Sequence, residues 1–273
     1  MKNLFSKADK MKVFIDIETI PCQSNTIKDE IAAQFPDVAP FTEPSCPRTI
    51  KKPETRKEWE DNTLPGLREA ALIKYQEDIK KRLECIDDTW RRTALHGDSG
   101  EIICIAWAIE DEVPHVVSRS LFYSEANLLT LFYQRIVEQL NQRNPFWIGH
   151  NVSFDLRFLF HRSVILKIKP PVHLYLDTKP WAEQVQDTMH LWAGLRDKIS
   201  LDRLCKALDI PTKGHELPDD EHIDGSRVWD FVKRGEIDKV ATYCKADVIR
   251  CREAYKRLTF THKVACEASD FKV

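Results

Sequence analysis

Asp16 and Glu18 stand two residues apart in MKVFIDIETIP (residues 11–21), within a run of β-favouring apolar residues that includes Val13, Phe14, Ile15, Ile17 and Ile20. On a strand, positions i and i+2 share a face, so the two carboxylates project side by side. Like charges in apolar surroundings repel and lose hydration, which costs several kcal/mol unless a cation sits between them. A divalent ion meets that need. The alternative is a strand at a sheet edge with its acidic face in water.

Two further stretches carry matching chemistry. GHNVSFD places Asp155 in the first turn of a helix, where an acid also suits the helix dipole. YCKAD places Tyr243 and Asp247 four residues apart on one helix, a spacing that by itself is ordinary. Together, three elements supply four acids and a phenol. Hard oxygen ligands bind Mg²⁺ or Mn²⁺, and two such ions ~4 Å apart activate a water and stabilise a leaving oxygen in phosphoryl transfer. Asp187, in VQDTMHLW, is a further acid with no assigned role. His215 and His222 lie among five acidic residues in HELPDDEHIDG, match no ligand spacing and read as a solvated loop.

The elements that must position these residues follow from periodicity. Residues 11–21 read as a strand, and from about Cys22 to Gly100 the apolar pattern collapses into charged, proline-punctuated sequence, an insertion. Within it Leu72, Tyr75, Ile79, Leu83, Ile86 and Trp90 mark one long helix ended by His96-Gly97, with Glu77/Lys81, Asp78/Arg82, Asp87/Arg91 and Asp88/Arg92 at i,i+4 spacing. EIICIAWAIED and Val113 to Phe122 give two strands that form an antiparallel meander with the first. A helix follows from Glu125 to Arg143, N-capped by Ser124 and ended by Pro145; then come a strand in PFWIGH and a helix from about Ser153 to Arg162. Val172 to Leu176 reads as another strand. Ser200 caps SLDRLCKALDI, and the last helices span Ser226 to Arg234 and Glu236 to Leu258, with Val240, Cys244, Val248, Cys251, Tyr255 and Leu258 as the core stripe. The pattern predicts an α/β chain with a central mixed sheet flanked by helices and a helical insertion after the first strand.

The bulk properties narrow the function classes. The chain has 273 residues, 42% of them hydrophobic, enough for a substantial core. Its 41 lysines and arginines nearly balance 43 aspartates and glutamates, so nucleic-acid binding must use a local patch. The basic clusters of the insertion, near Trp59 and Trp90, are candidates, although their acidic neighbours also fit a solvated, internally paired face. Eight cysteines occur without a CxxC pair, which argues against a zinc module and for reduced thiols. No apolar run approaches the ~20 residues of a membrane span, and the first residues lack a signal-type apolar core. A soluble, cytoplasmic protein with no membrane partner is expected.

In DIE, HNVSFD and YCKAD, taken in order, the chain resembles the DEDD superfamily of 3′-5′ exonucleases. Tyr243 stands four before Asp247, and Thr242 occupies the place of the histidine subclass's histidine, so the likeness is to the tyrosine (DEDDy) subclass. SLDRLCKALDI with Lys213, and GEIDKVATYCKADV, look most like predicted exonucleases of the family B DNA polymerase type. The resemblance covers Val13 to Pro21 and about Gly100 to Leu258. It implies a ribonuclease H-like core at about 11–21 and 100–260 in one exonuclease domain, with the insertion at 22–99. It implies that Asp16, Glu18 and Asp247 hold one divalent ion, with Asp16 bridging to a second that Asp155 positions through water. It assigns the attacking water to Tyr243, and the terminal nucleotide to Thr19, Ile20, Asn151 and Phe154. The implied activity is metal-dependent 3′-5′ hydrolysis, with Mg²⁺ or Mn²⁺ as cofactor, of single-stranded DNA. RNA is the alternative substrate, and a silent nucleic-acid-binding or partner-docking module is the alternative role. No polymerase palm or fingers follow, so either a freestanding nuclease domain or a subunit recruited by a polymerase or repair partner is expected, and the insertion, which starts where the catalytic strand ends, is expected to influence substrate choice.

Overall fold

The computed structural model describes residues 10–119, 124–176, 184–212 and 223–261. They divide into two compact units, one of residues up to Pro21 together with those from Ala94 onward, the other spanning Cys22–Thr93.

The first unit is built on a five-stranded mixed sheet. Its strands are β1 (Lys10–Ile20), β2 (Glu101–Ile109), β3 (His115–Ser118), β4 (Asn144–Gly149) and β5 (Val185–Asp187), in the order β3-β2-β1-β4-β5. The β3-β2-β1 part is the expected antiparallel meander, and β4 and β5 add in parallel. Helices α4 (Glu125–Leu140), α5 (Val152–Ile165), α6 (Thr188–Ala193), α7 (Leu201–Ala207), α8 (Val228–Lys233) and α9 (Ile237–Leu258) flank it, the α/β layout predicted for a ribonuclease H-like core.

The two faces of the sheet differ in bulk. On one, Val13, Ile15, Ile17, Ile105 and Trp107 pack against Leu129, Phe132 and Ile136 of α4 and Leu156 and Leu159 of α5. On the other, Phe14, Cys104, Ala106, Ala108 and Ile148 meet Val240, Cys244, Val248 and Cys251 of α9. The small side chains at 104, 106 and 108 let α9 lie close to β1 and β2. Each large side chain fully buried in these layers contributes roughly 1.5–3 kcal/mol. Where α4, α5 and β2 meet, Arg162 forks onto Glu125 with Nε–Oε1 at 2.8 Å and Nη2–Oε2 at 2.6 Å, and Glu125 Oε1 also accepts the Ile102 amide at 2.8 Å. This buried pair fixes the azimuth of α5, the helix that carries Asp155.

Most predicted elements are present with shifted ends. Ser124 caps α4 as expected, its hydroxyl accepting the Asn127 amide, but the helix stops at Leu140 with Asn141 in the left-handed region (φ 45). Pro145 is therefore not the stop; it lies inside β4, in register with Met11. Val172 to Leu176 is not a strand. Tyr175 has φ 45, which breaks extended geometry, and the segment instead packs its apolar side chains on the core while His173 O accepts the Trp147 indole at 2.8 Å. The fifth strand is Val185–Asp187, a three-residue stretch too short to read from periodicity. Gly235, at φ 80, makes the turn between α8 and α9. The segment holding His215 and His222 lies outside the described residues.

The second unit contains the predicted long helix, α3 (Leu64–Arg92), preceded by α1 (Asn25–Ala33) and α2 (Pro53–Asn62), which the sequence reading lacked. No residue of α2 is buried, so no apolar stripe announces it; Pro53 and Glu54 in its first turn are its local signals. Asp87–Arg91 forms the expected i,i+4 pair at 2.7 Å, whereas Arg82 turns to Asp37 at 2.8 Å and to the carbonyls of Phe35 and Pro36. The ends of this unit are tied to each other. Trp90 Nε1 donates to Cys22 O at 2.7 Å, and the Cys22 amide to Thr93 Oγ1 at 2.8 Å. No described helix is long and apolar enough to cross a membrane.

Candidate active site

Alternation along β1 sends Phe14, Asp16 and Glu18 to the α9 face, while Val13, Ile15 and Ile17 face α5. The register with β2 shifts between Glu18 and Thr19, an irregularity of the bulge kind that bends a strand and re-aims side chains at its end. Cys244 is fully buried against β1 and its thiol donates to the Asp16 carbonyl at 3.4 Å, which fixes α9 at the level of Asp16.

One turn along, Asp247 reaches the same place. Oxygens of Asp16, Glu18 and Asp247 all lie within 4.8 Å of one another. Three carboxylates so close, two of them buried, make a donor set suited to a hard divalent cation. Tyr243, 3% exposed, stands beside them and hydrogen-bonds to Asp247. Burial first, then the carboxylates of Glu18, Asp247 and Asp16, push the Tyr243 pKa far above its ordinary value, so the phenol keeps its proton at any physiological pH.

Asp155 approaches from the opposite face of the sheet. Its Oδ1 accepts the Ile17 amide at 3.2 Å, between the two β1 acids. It is buried, and that burial, followed by the charge of Asp16, raises its pKa well above the usual carboxylate range despite the Ile17 bond. Asp155 thus belongs to the same electrostatic site without joining the tight group of three.

The turn before α5 is shaped by close approach. A Cβ on Gly149 would meet Val152 at 2.8 Å and the Ile15 carbonyl at 3.2 Å, so only glycine fits there. Asn151 takes the left-handed region (φ 62), which asparagine tolerates, and donates its amide to Asp187 Oδ1 at 2.8 Å. Asp187 also caps α6 through the Met189 amide at 2.9 Å. His150 is anchored to Thr188 Oγ1 at 3.0 Å and Ile199 O at 2.8 Å.

The predicted substrate residues are distributed unevenly. Asn151 is exposed and Phe154 is half-buried against Phe158. The Thr19 hydroxyl donates to Ala94 O at 2.7 Å, and the Ile20 side chain is buried in the α9-side core. Two residues beside the site had no role in the sequence reading: Asp187, and Arg250, whose Nη1 donates to Asp247 Oδ1 at 2.8 Å. The i,i+3 spacing of Asp247 and Arg250 on one helix was the available signal.

Residues 101–265 match the model of a family described as predicted 3′-5′ exonucleases related to the exonuclease domain of PolB. That span carries Asp155, Tyr243 and Asp247, and β1 with Asp16 and Glu18 precedes it. No curated protein matches the sequence. Among solved structures, the Saccharomyces cerevisiae Pan2 pseudoubiquitin hydrolase-RNA exonuclease module, determined with AAGGA RNA, is similar at a TM-score of 0.33 and 12% identity. The alignment covers 99% of this chain and 35% of that one.

Proposed function

The chain belongs to the predicted 3′-5′ exonucleases related to the exonuclease domain of PolB, and from that premise we propose that it removes nucleoside 5′-monophosphates from the 3′ end of single-stranded DNA by a two-metal route of the tyrosine type. The observation that carries the reading is the convergence of Asp16, Glu18 and Asp247 within 4.8 Å, with Tyr243 hydrogen-bonded to Asp247.

Asp16, Glu18 and Asp247 would hold one divalent ion, Mg²⁺ or Mn²⁺, and Asp155 with Asp16 would serve a second. When bound, such ions lower the pKa of a coordinated water and offset charge on the leaving oxygen. The chain's own groups do the rest. Tyr243 stays a neutral phenol, so it orients the attacking water by hydrogen bonding and does not act as the base. Asp155, braced by the Ile17 amide and by the Arg162–Glu125 lock on its helix, is held against β1. Asn151 and Phe154, at the start of α5, offer an amide and a ring to the terminal nucleotide, and the Thr19–Ile20 backbone at the end of β1 supplies the other side.

Matched single-stranded DNA and RNA oligomers of one sequence, labelled at the 5′ end and incubated with Mn²⁺, test the substrate assignment. Faster stepwise shortening of DNA supports it. Faster shortening of RNA replaces it with an RNA exonuclease, and tight end binding without turnover replaces it with a binding module.

A further inference from the structure

Arg250 lies on α9 one turn beyond Asp247 and is 6% exposed. A guanidinium so buried is stable only when its donors meet acceptors. Here they do so in three directions: Nη1 to Asp247 Oδ1 at 2.8 Å, Nε to Pro211 O at 3.2 Å and Nη2 to Thr212 O at 3.3 Å. Pro211 and Thr212 follow α7, which itself packs on α9 through Leu204, Cys205 and Ala254. The planar fork therefore has a fixed origin, a fixed plane and two backbone anchors, and its remaining arm ends on one oxygen of a carboxylate in the acidic group.

A carboxylate on a two-torsion side chain changes direction freely unless a partner fixes it, and the partners of metal ligands set their orientation. We propose that Arg250 is a positioning residue for the metal site: it holds the Asp247 carboxylate in the orientation that faces Asp16 and Glu18, using the Pro211 and Thr212 carbonyls as its own brace. The inference rests on the reading of Asp16, Glu18 and Asp247 as a divalent-ion site. A lysine at 250 would keep the charge and a bond to Asp247 but lose the planar three-way brace. The opposite electrostatic effect is also defined: were Arg250 merely a counter-charge competing with a cation, removing it would tighten metal binding.

Titration of the full, metal-stripped chain with Mn²⁺ by calorimetry separates these cases without reference to turnover. The wild-type chain binds Mn²⁺, and Asp16→Ala weakens binding strongly. Arg250→Gln weakens it by about 10-fold or more, as loss of an orienting partner does. Arg250→Lys falls between the two, and Leu140→Ala, at the end of α4 in the core layer on the other face of the sheet, lowers the melting temperature without changing Mn²⁺ affinity. Affinity in Arg250→Gln that is unchanged or tighter, or an equal loss in Leu140→Ala, overturns the proposal while leaving the metal site intact. If Arg250→Gln does not fold, Arg250→Lys decides: weakened binding supports the role and unchanged binding overturns it. Absence of Mn²⁺ binding by the wild-type chain, or indifference to Asp16→Ala, overturns the metal-site reading itself and this inference with it.

Discussion

The carboxylate of Asp155 on α5 accepts the backbone amide of Ile17 on β1 at 3.2 Å, so an acid from one face of the sheet is fastened between Asp16 and Glu18, which point to the other. This bond makes the end of β1 a meeting point for two layers. The position carries a large electrostatic cost, because burial and the charge of Asp16 hold the Asp155 carboxyl well above its ordinary pKa against the lowering effect of the Ile17 amide.

The sign of the resulting pH dependence follows from linkage. Between the ordinary carboxylate value and the raised one, the folded chain holds the Asp155 proton and the unfolded chain does not, so stability falls as pH rises through that window. In EDTA, the melting temperature of the wild-type chain should fall as pH rises from the ordinary carboxylate value toward the raised one, and Asp155→Asn should flatten the slope. Thermal melts across that range check it. An unaltered slope in Asp155→Asn would show that other groups carry the dependence.

Tyr243 is held as a phenol by burial and three carboxylates, which fits the orienting task proposed for it. Tyr243→Phe should lower the single-turnover rate by about 10²-fold, the scale of a misplaced reactant, while leaving Mn²⁺ affinity nearly unchanged. The pH profile should keep its shape, since no Tyr243 ionisation contributes to it. A parallel loss of Mn²⁺ affinity would instead make the phenol part of the ligand set.

Close approach of α9 to the sheet depends on small residues in β2, Ala106 and Ala108 among them. Ala106→Leu should destabilise the fold by about 1–3 kcal/mol through overpacking, whereas Ile105→Leu on the α5 face should cost less than about 1.5 kcal/mol. Urea unfolding measures both. Because Asp247 rides on α9, Ala106→Leu should also lower the rate at saturating Mn²⁺ and Ile105→Leu should not. Equal rates in the two variants would contradict the spacing argument.

The site was legible where chemistry and periodicity coincided. Asp16 and Glu18 declared themselves as charges inside an apolar strand, and Tyr243 and Asp247 as neighbours on an amphipathic helix. That Asp16, Glu18 and Asp247 meet within 4.8 Å depends on sheet order and on small β2 side chains, which no local pattern encodes. Asp187 is visible in the sequence but without a role, and Arg250 is not singled out, because their partners, Asn151 and the Pro211 and Thr212 carbonyls, are far away in the chain. Val172 to Leu176 had strand-like composition, yet a left-handed Tyr175 and the Trp147 bond to His173 made it a packed loop, while the true edge strand occupies only Val185–Asp187. Helix α2 was missed for the converse reason, since it buries nothing and so shows no stripe.

If the acids of β1 and α9 perform metal-dependent hydrolysis from the 3′ end, as proposed, the products of a labelled oligonucleotide reveal it. A 5′-labelled single-stranded oligonucleotide is incubated with Mn²⁺ and wild-type or Asp16→Ala chain, with and without EDTA, and the products are resolved by length. A ladder shortening from the 3′ end with release of 5′-monophosphates, abolished by EDTA and by Asp16→Ala, is the predicted result. Undiminished shortening in Asp16→Ala, or in EDTA, would contradict it.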